Sequence, residues 1–213
     1  MKTIFEPPKK QALGGRTCRL EPLNIENHAL PLYENYAQGK SDKDWQSMSY
    51  GPFADFVEFE NWLKQTCQQE DPLFFVVIPS DTNQASGLLS LLNINHHFGT
   101  IEVGHIHFSP NLQRTTAATE AIFLLMNYVF EELQYRRLEW KCDNLNERSK
   151  RSAKRLGFQF EGVFRQHYIV KDKNRDTAWF SILDKEWPAI ELNIKAWLSP
   201  ENFDAQGHQI SRL

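Results

Sequence analysis

Two stretches of this 213-residue chain carry residue types that do chemistry. The first is Gln113-Arg114-Thr115-Thr116-Ala117-Ala118, small and polar residues leading into an apolar helical repeat. A turn of this kind at a helix start leaves backbone N–H groups unpaired at the positive end of the helix dipole, which suits an anionic group such as a phosphate. Small residues at a helix start also serve packing alone. The second is Glu102, which by strand alternation shares a face with Ile106 and Phe108. A carboxylate on an apolar face is desolvated and raised in pKa, which suits it to act as a general base; a structural carboxylate bonded to nearby backbone has the same signature. His105 and His107 alternate onto one strand face, but two imidazoles without a third ligand nearby describe packing or surface histidines before a metal site.

These residues need elements to position them. Thr100 to Phe108 is rich in β-branched and aromatic residues, and Ser109-Pro110 ends it as a strand. From about Thr116, Ala118, Ile122, Leu125, Val129 and Leu133 recur at helical spacing, and only Asn127 is strongly polar from Ala121 to Phe130, so this helix is expected to be buried on more than one side. Upstream, Arg16 to Leu20 reads as a short strand ended by Pro22. Glu26 to Gln38 reads as a helix with Leu30, Tyr33 and Ala37 on its apolar stripe, and a second helix starts near Asp55 with Phe56, Phe59, Trp62 and Leu63 on its stripe. Leu73–Ile78 and Ser86–Asn95 form a hairpin about Asp81-Thr82-Asn83. Downstream come a strand at Leu138–Cys142, a helix at Glu147–Leu156, and strands at Phe158–Val170 and Thr177–Leu183 joined by the turn Lys171-Asp172-Lys173-Asn174. A last helix, Trp187–Leu198, has Pro188 in its first turn. A strand, helix, strand unit that follows antiparallel strands predicts an α/β fold with a mixed sheet.

Length and a 41% hydrophobic content predict one globular domain. A net charge of -3 argues against a general nucleic-acid binder, and the longest apolar run is short of a membrane span. The first residues, MKTIFEPPKKQALGG, lack the apolar core of a secretory signal, so a cytoplasmic location is expected. Cys18, Cys67 and Cys142 form no CxxC pair, which argues against disulfides and a thiolate zinc site. Charge is unevenly spread. Eight basic residues face three acidic ones between Arg136 and Arg155, whereas Ser41 to Asp71 holds seven acidic residues and two lysines. The first surplus fits a polyanion or a solvated helix face; the second fits a cationic ligand or ordinary surface. Trp45, Tyr50 and Phe53 suit either a pocket or a core.

Several strings together resemble the GNAT N-acetyltransferases. Gln113-Arg114-Thr115-Thr116-Ala117-Ala118-Thr119-Glu120-Ala121 is similar to the acetyl-CoA pyrophosphate loop, Gln/Arg-x-x-Gly-x-Gly/Ala, often continued as Ala-Thr-Glu-Ala. Glu102-Val103-Gly104-His105 resembles the preceding strand, Asn146-Glu147-Arg148-Ser149 the Asn-x-x-Ser of the next helix start, Leu156-Gly157-Phe158 with Glu161-Gly162 the segments that follow, and Arg19 to Leu23 the first strand. Their order and spacing over Thr17 to Leu183 resemble the RimJ/RimL-like branch. Thr116 departs from the pattern where glycine is usual, and Ala153 stands where many members carry a proton-donating tyrosine.

The resemblance implies a single GNAT-like domain: a mixed, mostly antiparallel twisted sheet flanked by helices on both faces. Residues 1–15 would be an extended arm, 16–184 the acetyltransferase domain, and 185–213 a helix and tail packed on the domain or on a partner. It implies acetyl-CoA as co-substrate, no metal, and acetyl transfer to a primary amine, either a small molecule or a peptide N-terminus, by direct attack. Monomer or homodimer is expected, without nucleic acid or membrane. Gln113, Arg114, Thr115, Thr116, Ala117 and Ala118 would hold the diphosphate, Asn146 the pantetheine arm, and backbone N–H near Phe108 the thioester carbonyl. Ser149 would protonate the thiolate. Glu102 is the first candidate base, with His167 beside Tyr168 in the acceptor region as the next. The alternative function is a CoA-binding regulatory or interaction module without catalysis, which Thr116 and Ala153 permit.

Overall fold

The computed structural model describes residues 4–37, 45–66 and 69–213. Eight strands form one sheet: β1 (Leu13–Gly14), β2 (Cys18–Pro22), β3 (Leu73–Pro79), β4 (Gly87–Asn95), β5 (Thr100–Phe108), β6 (Arg137–Asp143), β7 (Gln159–Val170) and β8 (Lys173–Leu183). Their spatial order is β1-β2-β3-β4-β5-β6-β8-β7, and every neighbour is antiparallel except β5 and β6. The helices are α1 (Ile25–Ala37), α2 (Phe56–Thr66), α3 (Thr116–Asn127), α4 (Glu147–Arg155) and α5 (Trp187–Leu198). No helix among the described residues is long and apolar enough to cross a membrane.

The alternation within β3 decides the layering. Phe75 and Val77 bury into one apolar cluster with residues of α3, α4 and α5, while Phe74 and Val76 bury into another with Ala29, Leu32, Phe59 and Leu63 of α1 and α2. Helices therefore cover both faces of the sheet, as the resemblance implies. α3 is buried along nearly its whole length because the sheet lies on one side and α5 on the other. Trp187 stacks on Phe130, with ring centroids 5.0 Å apart, and its indole N–H donates to Glu131 at 2.7 Å. The chain beyond 185 thus packs on its own domain. Phe5 is docked too, buried against Tyr135, and Leu13 and Gly14 pair with β2 as the edge strand.

Local chemistry explains the element boundaries. Asp55 accepts the N–H of Glu58 at 2.9 Å while Glu58 accepts that of Ala54 at 2.7 Å, a reciprocal cap that starts α2. α1 differs from its expected stripe. Leu30 is exposed, and His28, Ala29, Leu32, Asn35 and Tyr36 face the core. Two polar residues can be buried there because each is bonded: Asn35 donates to the carbonyls of Pro31 and Ala85, both at 3.0 Å, and the His28 ring is 3.2 Å from Glu21. Gln38 lies outside the described residues. The β7–β8 turn is also tighter than expected. Lys171 and Asp172, with φ of 50° and 61°, make it alone, and Lys173 and Asn174 already pair in β8.

The feature that makes a site is the incomplete pairing of β5 with β6. Only Thr100, Ile101 and Glu102 pair, with Arg137, Leu138 and Glu139. Beyond Glu102 the two strands part, and the sheet opens at its centre.

Candidate active site

A cavity of about 1230 Å³ fills this opening. α3 follows β5 and α4 follows the parallel β6, so both helix N-termini reach the same end of the sheet and line the cavity from one side. At α3 the cap is Thr115, whose hydroxyl accepts the Ala118 N–H at 3.1 Å and donates to the Leu112 carbonyl at 2.7 Å. At α4 the cap is Asn146, which accepts the Ser149 N–H at 3.0 Å. Arg148, Arg151 and Arg155 lie one to two turns apart on the α4 face that lines the cavity, and Arg114 faces it from the other loop. Arg155 donates to Thr119 at 3.1 Å and its guanidinium lies 4.6 Å from the centre of the Trp197 ring, which brings the C-terminal segment into the wall. One half of the cavity is thus a cationic, N–H-rich surface suited to phosphates.

The other half is built around Glu102. Its carboxylate is 6% exposed and accepts from Asn93 at 2.6 Å and Lys141 at 2.8 Å. Asn93 reaches it because β4 bulges there, with Asn93 at φ 50°, and Asp71 clamps the bulge by accepting the N–H groups of Asn93 and Ile94, both at 3.0 Å. Burial raises the Glu102 pKa, against the opposing pull of Lys141 and Asn93. Burial alone would push the Lys141 ammonium down, but Glu102 and Glu139 reverse this and hold it charged. Lys141 bonds Glu139 at 2.9 Å, Glu139 bonds Arg137 at 2.8 Å, and Arg137 pairs with Glu161, so alternating charges run from the cavity across the sheet.

A second bulge sets the aromatic wall. Ser90 pairs with Gly104 but Leu88 with His107, so β5 carries one extra residue at His105, whose φ is 51°. The slip corrects the expected alternation. Glu102 shares its face with His107, whereas Ile106 and Phe108 turn toward the α3 side. His107 stacks on Trp45 at 3.7 Å, and the His105 ring nitrogen lies 3.0 Å from the Tyr50 hydroxyl. Burial lowers the His105 pKa to about 4, so this ring is neutral. Trp45, Tyr50 and Phe53 pack together, and of these Tyr50 lines the cavity.

Residues 18–159 match the Acetyltransferase (GNAT) domain. The chain belongs to the GNAT acetyltransferase family. A GCN5-related N-acetyltransferase from Brucella melitensis superposes with a TM-score of 0.97 at 45% identity, covering 99% of this chain and 96% of that one. N-acetyltransferase YnaD of Bacillus subtilis is 32% identical over 43% of this chain and 54% of its own length. The spermidine N(1)-acetyltransferase of Escherichia coli K12 is 28% identical over 65% of this chain and 73% of its own length. The chain therefore spans about half of the first relative and nearly three quarters of the second.

Against the GNAT pattern, Thr116 is no conformational anomaly. It is the first residue of α3, and the loop's left-handed residue is Arg114, at φ 64°. Among the sites expected from sequence, the structure gathers Glu102, Phe108, Gln113, Arg114, Thr115, Thr116, Ala118, Asn146 and Ser149 on the cavity, while Ala117 is buried beside it. The Phe108 carbonyl accepts from the Gln113 side chain at 2.9 Å. Ser149 accepts from the Trp140 indole at 2.9 Å, which leaves its own proton to donate. His167 is not brought to this cavity. The β7 bulge, with Gln166 at φ 52°, turns it onto Phe164 and Tyr168 beside a separate depression. Tyr168, Ile169 and Arg175 line the main cavity instead.

Among the described residues, the acidic surplus of 41–71 does not converge here either. Asp55 and Glu58 cap α2, Glu60 pairs with Lys64, and Asp71 holds the β4 bulge; Asp42, Lys43 and Asp44 lie outside the described residues. Glu120, within the loop string, serves structure: its carboxylate accepts the N–H groups of Arg16, Thr17 and Cys18.

Proposed function

We propose that this chain transfers the acetyl group of acetyl-CoA to a primary amine by direct attack of the amine, as a member of the RimJ/RimL-like branch acting in the cytoplasm. The observation that carries the reading is the opening between β5 and β6, which brings two capped helix N-termini and a desolvated carboxylate to one cavity. Acetyl-CoA fits the cationic half: Gln113 to Ala118 and the arginines of α4 meet its phosphates, and Asn146 meets the pantetheine arm. Bound there, it supplies an activated acyl group. Ser149, whose oxygen accepts the Trp140 indole N–H, keeps a hydroxyl proton that it can give to the departing sulfur.

An alkylamine has a pKa near ~10 and is mostly protonated at neutral pH, so a base must accept its proton before or during attack. Glu102 is that base, directly or through a water. Lys141 and Asn93 fix its orientation, and desolvation raises its basicity. His105 is neutral and can pass a proton between Tyr50 and the cavity.

Thiol release from acetyl-CoA across a panel of amines tests the reading, alongside the shift in melting temperature with saturating acetyl-CoA. Turnover with a raised melting temperature is expected. Tight binding without turnover on any amine would favour a CoA-binding regulatory module. An unshifted melting temperature would remove both.

A further inference from the structure

The acceptor half of the cavity contains a cation that the acetyl-transfer reading leaves unused. Six cationic side chains line the whole cavity against two carboxylates among the described residues. Four of the six, Arg114, Arg148, Arg151 and Arg155, belong to the two helix starts. Lys141 is neutralised by Glu102 and Glu139. The sixth is Arg175, on β8.

Arg175 has no carboxylate partner among the described residues, and its buried Nε has no hydrogen-bond partner. Its guanidinium lies 5.7 Å from the centre of the Tyr168 ring, on the strand paired with β8. Two residues along, on the same face, Thr177 lines the cavity. It is fully buried, and its hydroxyl also has no partner. Buried polar groups in native proteins are almost always bonded, and leaving the Nε–H of a guanidinium and a hydroxyl unsatisfied two residues apart on one strand face is costly. Both can donate, and a guanidinium is matched in shape to a carboxylate, which it binds through two parallel N–H groups.

We propose that Arg175 and Thr177 form an anion-binding subsite in the acceptor half of the cavity, and that the preferred acceptor is a primary amine that also carries a carboxylate. This rests on the acetyl-transfer reading and narrows it. A polyamine has no group to satisfy Arg175, and of the two cavity carboxylates Glu102 is already held by Lys141 while Asp143 accepts the Leu145 N–H.

Matched acid and amide ligands test the subsite: L-phenylalanine against L-phenylalaninamide and glycine against glycinamide, with spermidine as the cationic comparison. Binding to the CoA-saturated protein is measured by calorimetry, and KM and kcat by thiol release. The acid of each pair is expected to bind at least tenfold tighter and to show the difference in KM. Arg175→Gln should bring the acid-to-amide ratio within twofold, and Arg175→Lys, which keeps the charge, should retain part of the preference. Amides binding as well as acids, no binding by either acid, or spermidine outcompeting them would overturn the proposal. So would a tenfold loss of acetyl-CoA affinity in Arg175→Gln, which would assign the guanidinium to the cofactor. Acid-selective binding without turnover on any amine would leave the subsite standing and remove the transferase reading.

Discussion

The two halves of the cavity are built on opposite electrostatic plans. On the α3–α4 side, cations are gathered on one helix face and one loop, and the acetyl-transfer reading sets them against the phosphates of acetyl-CoA. On the β5–β6 side, charges answer one another within the chain: Glu102 to Lys141, Lys141 to Glu139, Glu139 to Arg137. The first plan leaves binding energy available for a polyanion, and its contribution weakens with salt. The second removes net charge and leaves one desolvated carboxylate whose proton affinity is set by its surroundings. In the proposed reading, the contrast separates affinity for the cofactor from the chemistry of the acceptor.

Substitutions can break that separation or sharpen it. The largest effect is expected for Glu102→Gln, a loss of about a hundredfold or more in kcat/KM with little change in acetyl-CoA affinity. The pH profile gives a finer check. The Glu102 pKa is raised above the ordinary 4.5 and the charged form is the base, so kcat/KM should fall as pH drops through the raised pKa, and this limb should vanish in the variant. The same shift means that the folded chain holds this proton more tightly than the unfolded one, so this carboxyl's stabilising contribution is lost as pH rises through the folded value. An unaltered profile would move the base to another residue.

Next in size is the pair Arg148→Gln with Arg151→Gln. The acetyl-CoA KM should rise roughly tenfold to a hundredfold and lose much of its salt dependence while kcat holds, since charge-assisted bonds contribute about 1.5–3 kcal/mol each before screening. A fall in kcat of the same size would merge the two halves. Ser149→Ala should lower kcat about tenfold, more than it changes cofactor affinity; equal kcat would remove Ser149 from the mechanism. The smallest effect is expected for Thr116→Gly. Thr116 is already helical, so glycine should leave acetyl-CoA affinity within about twofold and lower stability by about 0.5–1 kcal/mol, read by denaturant titration. A large gain in affinity would show that the loop needs a left-handed residue at 116 after all.

The same contrast governs what was legible in the sequence. The cofactor half is local: a cap, a helix start and an arginine face all lie within short contiguous strings, and α3 begins at the expected Thr116. The acceptor half depends on register between strands far apart in the chain. The extra residue at His105 cannot be seen in β5 alone, because a bulge exists only relative to β4, and it reversed the faces of Ile106 and Phe108. The Gln166 bulge turned His167 away for the same reason, while Arg175 fell between the expected turn at 171–174 and the expected strand Thr177–Leu183. The acidic surplus of 41–71 left a cationic ligand and ordinary surface both open, because charge alone does not show that Asp55 caps a helix and Asp71 clamps a bulge. The α1 stripe slipped because His28 and Asn35 find bonds that a hydrophobicity count does not include.

The run of charges from Glu102 to Glu161 has a consequence for how such a protein changes over generations. Removing one member strands its neighbour as a half-buried, uncompensated charge, which is usually far more damaging than losing the pair together. Positions 102, 141, 139, 137 and 161 should therefore drift in compensating sets or not at all, so that the acceptor chemistry is inherited as a block. Arg151 and Arg155 of α4 stand outside that run, so exchanging either strands none of its members.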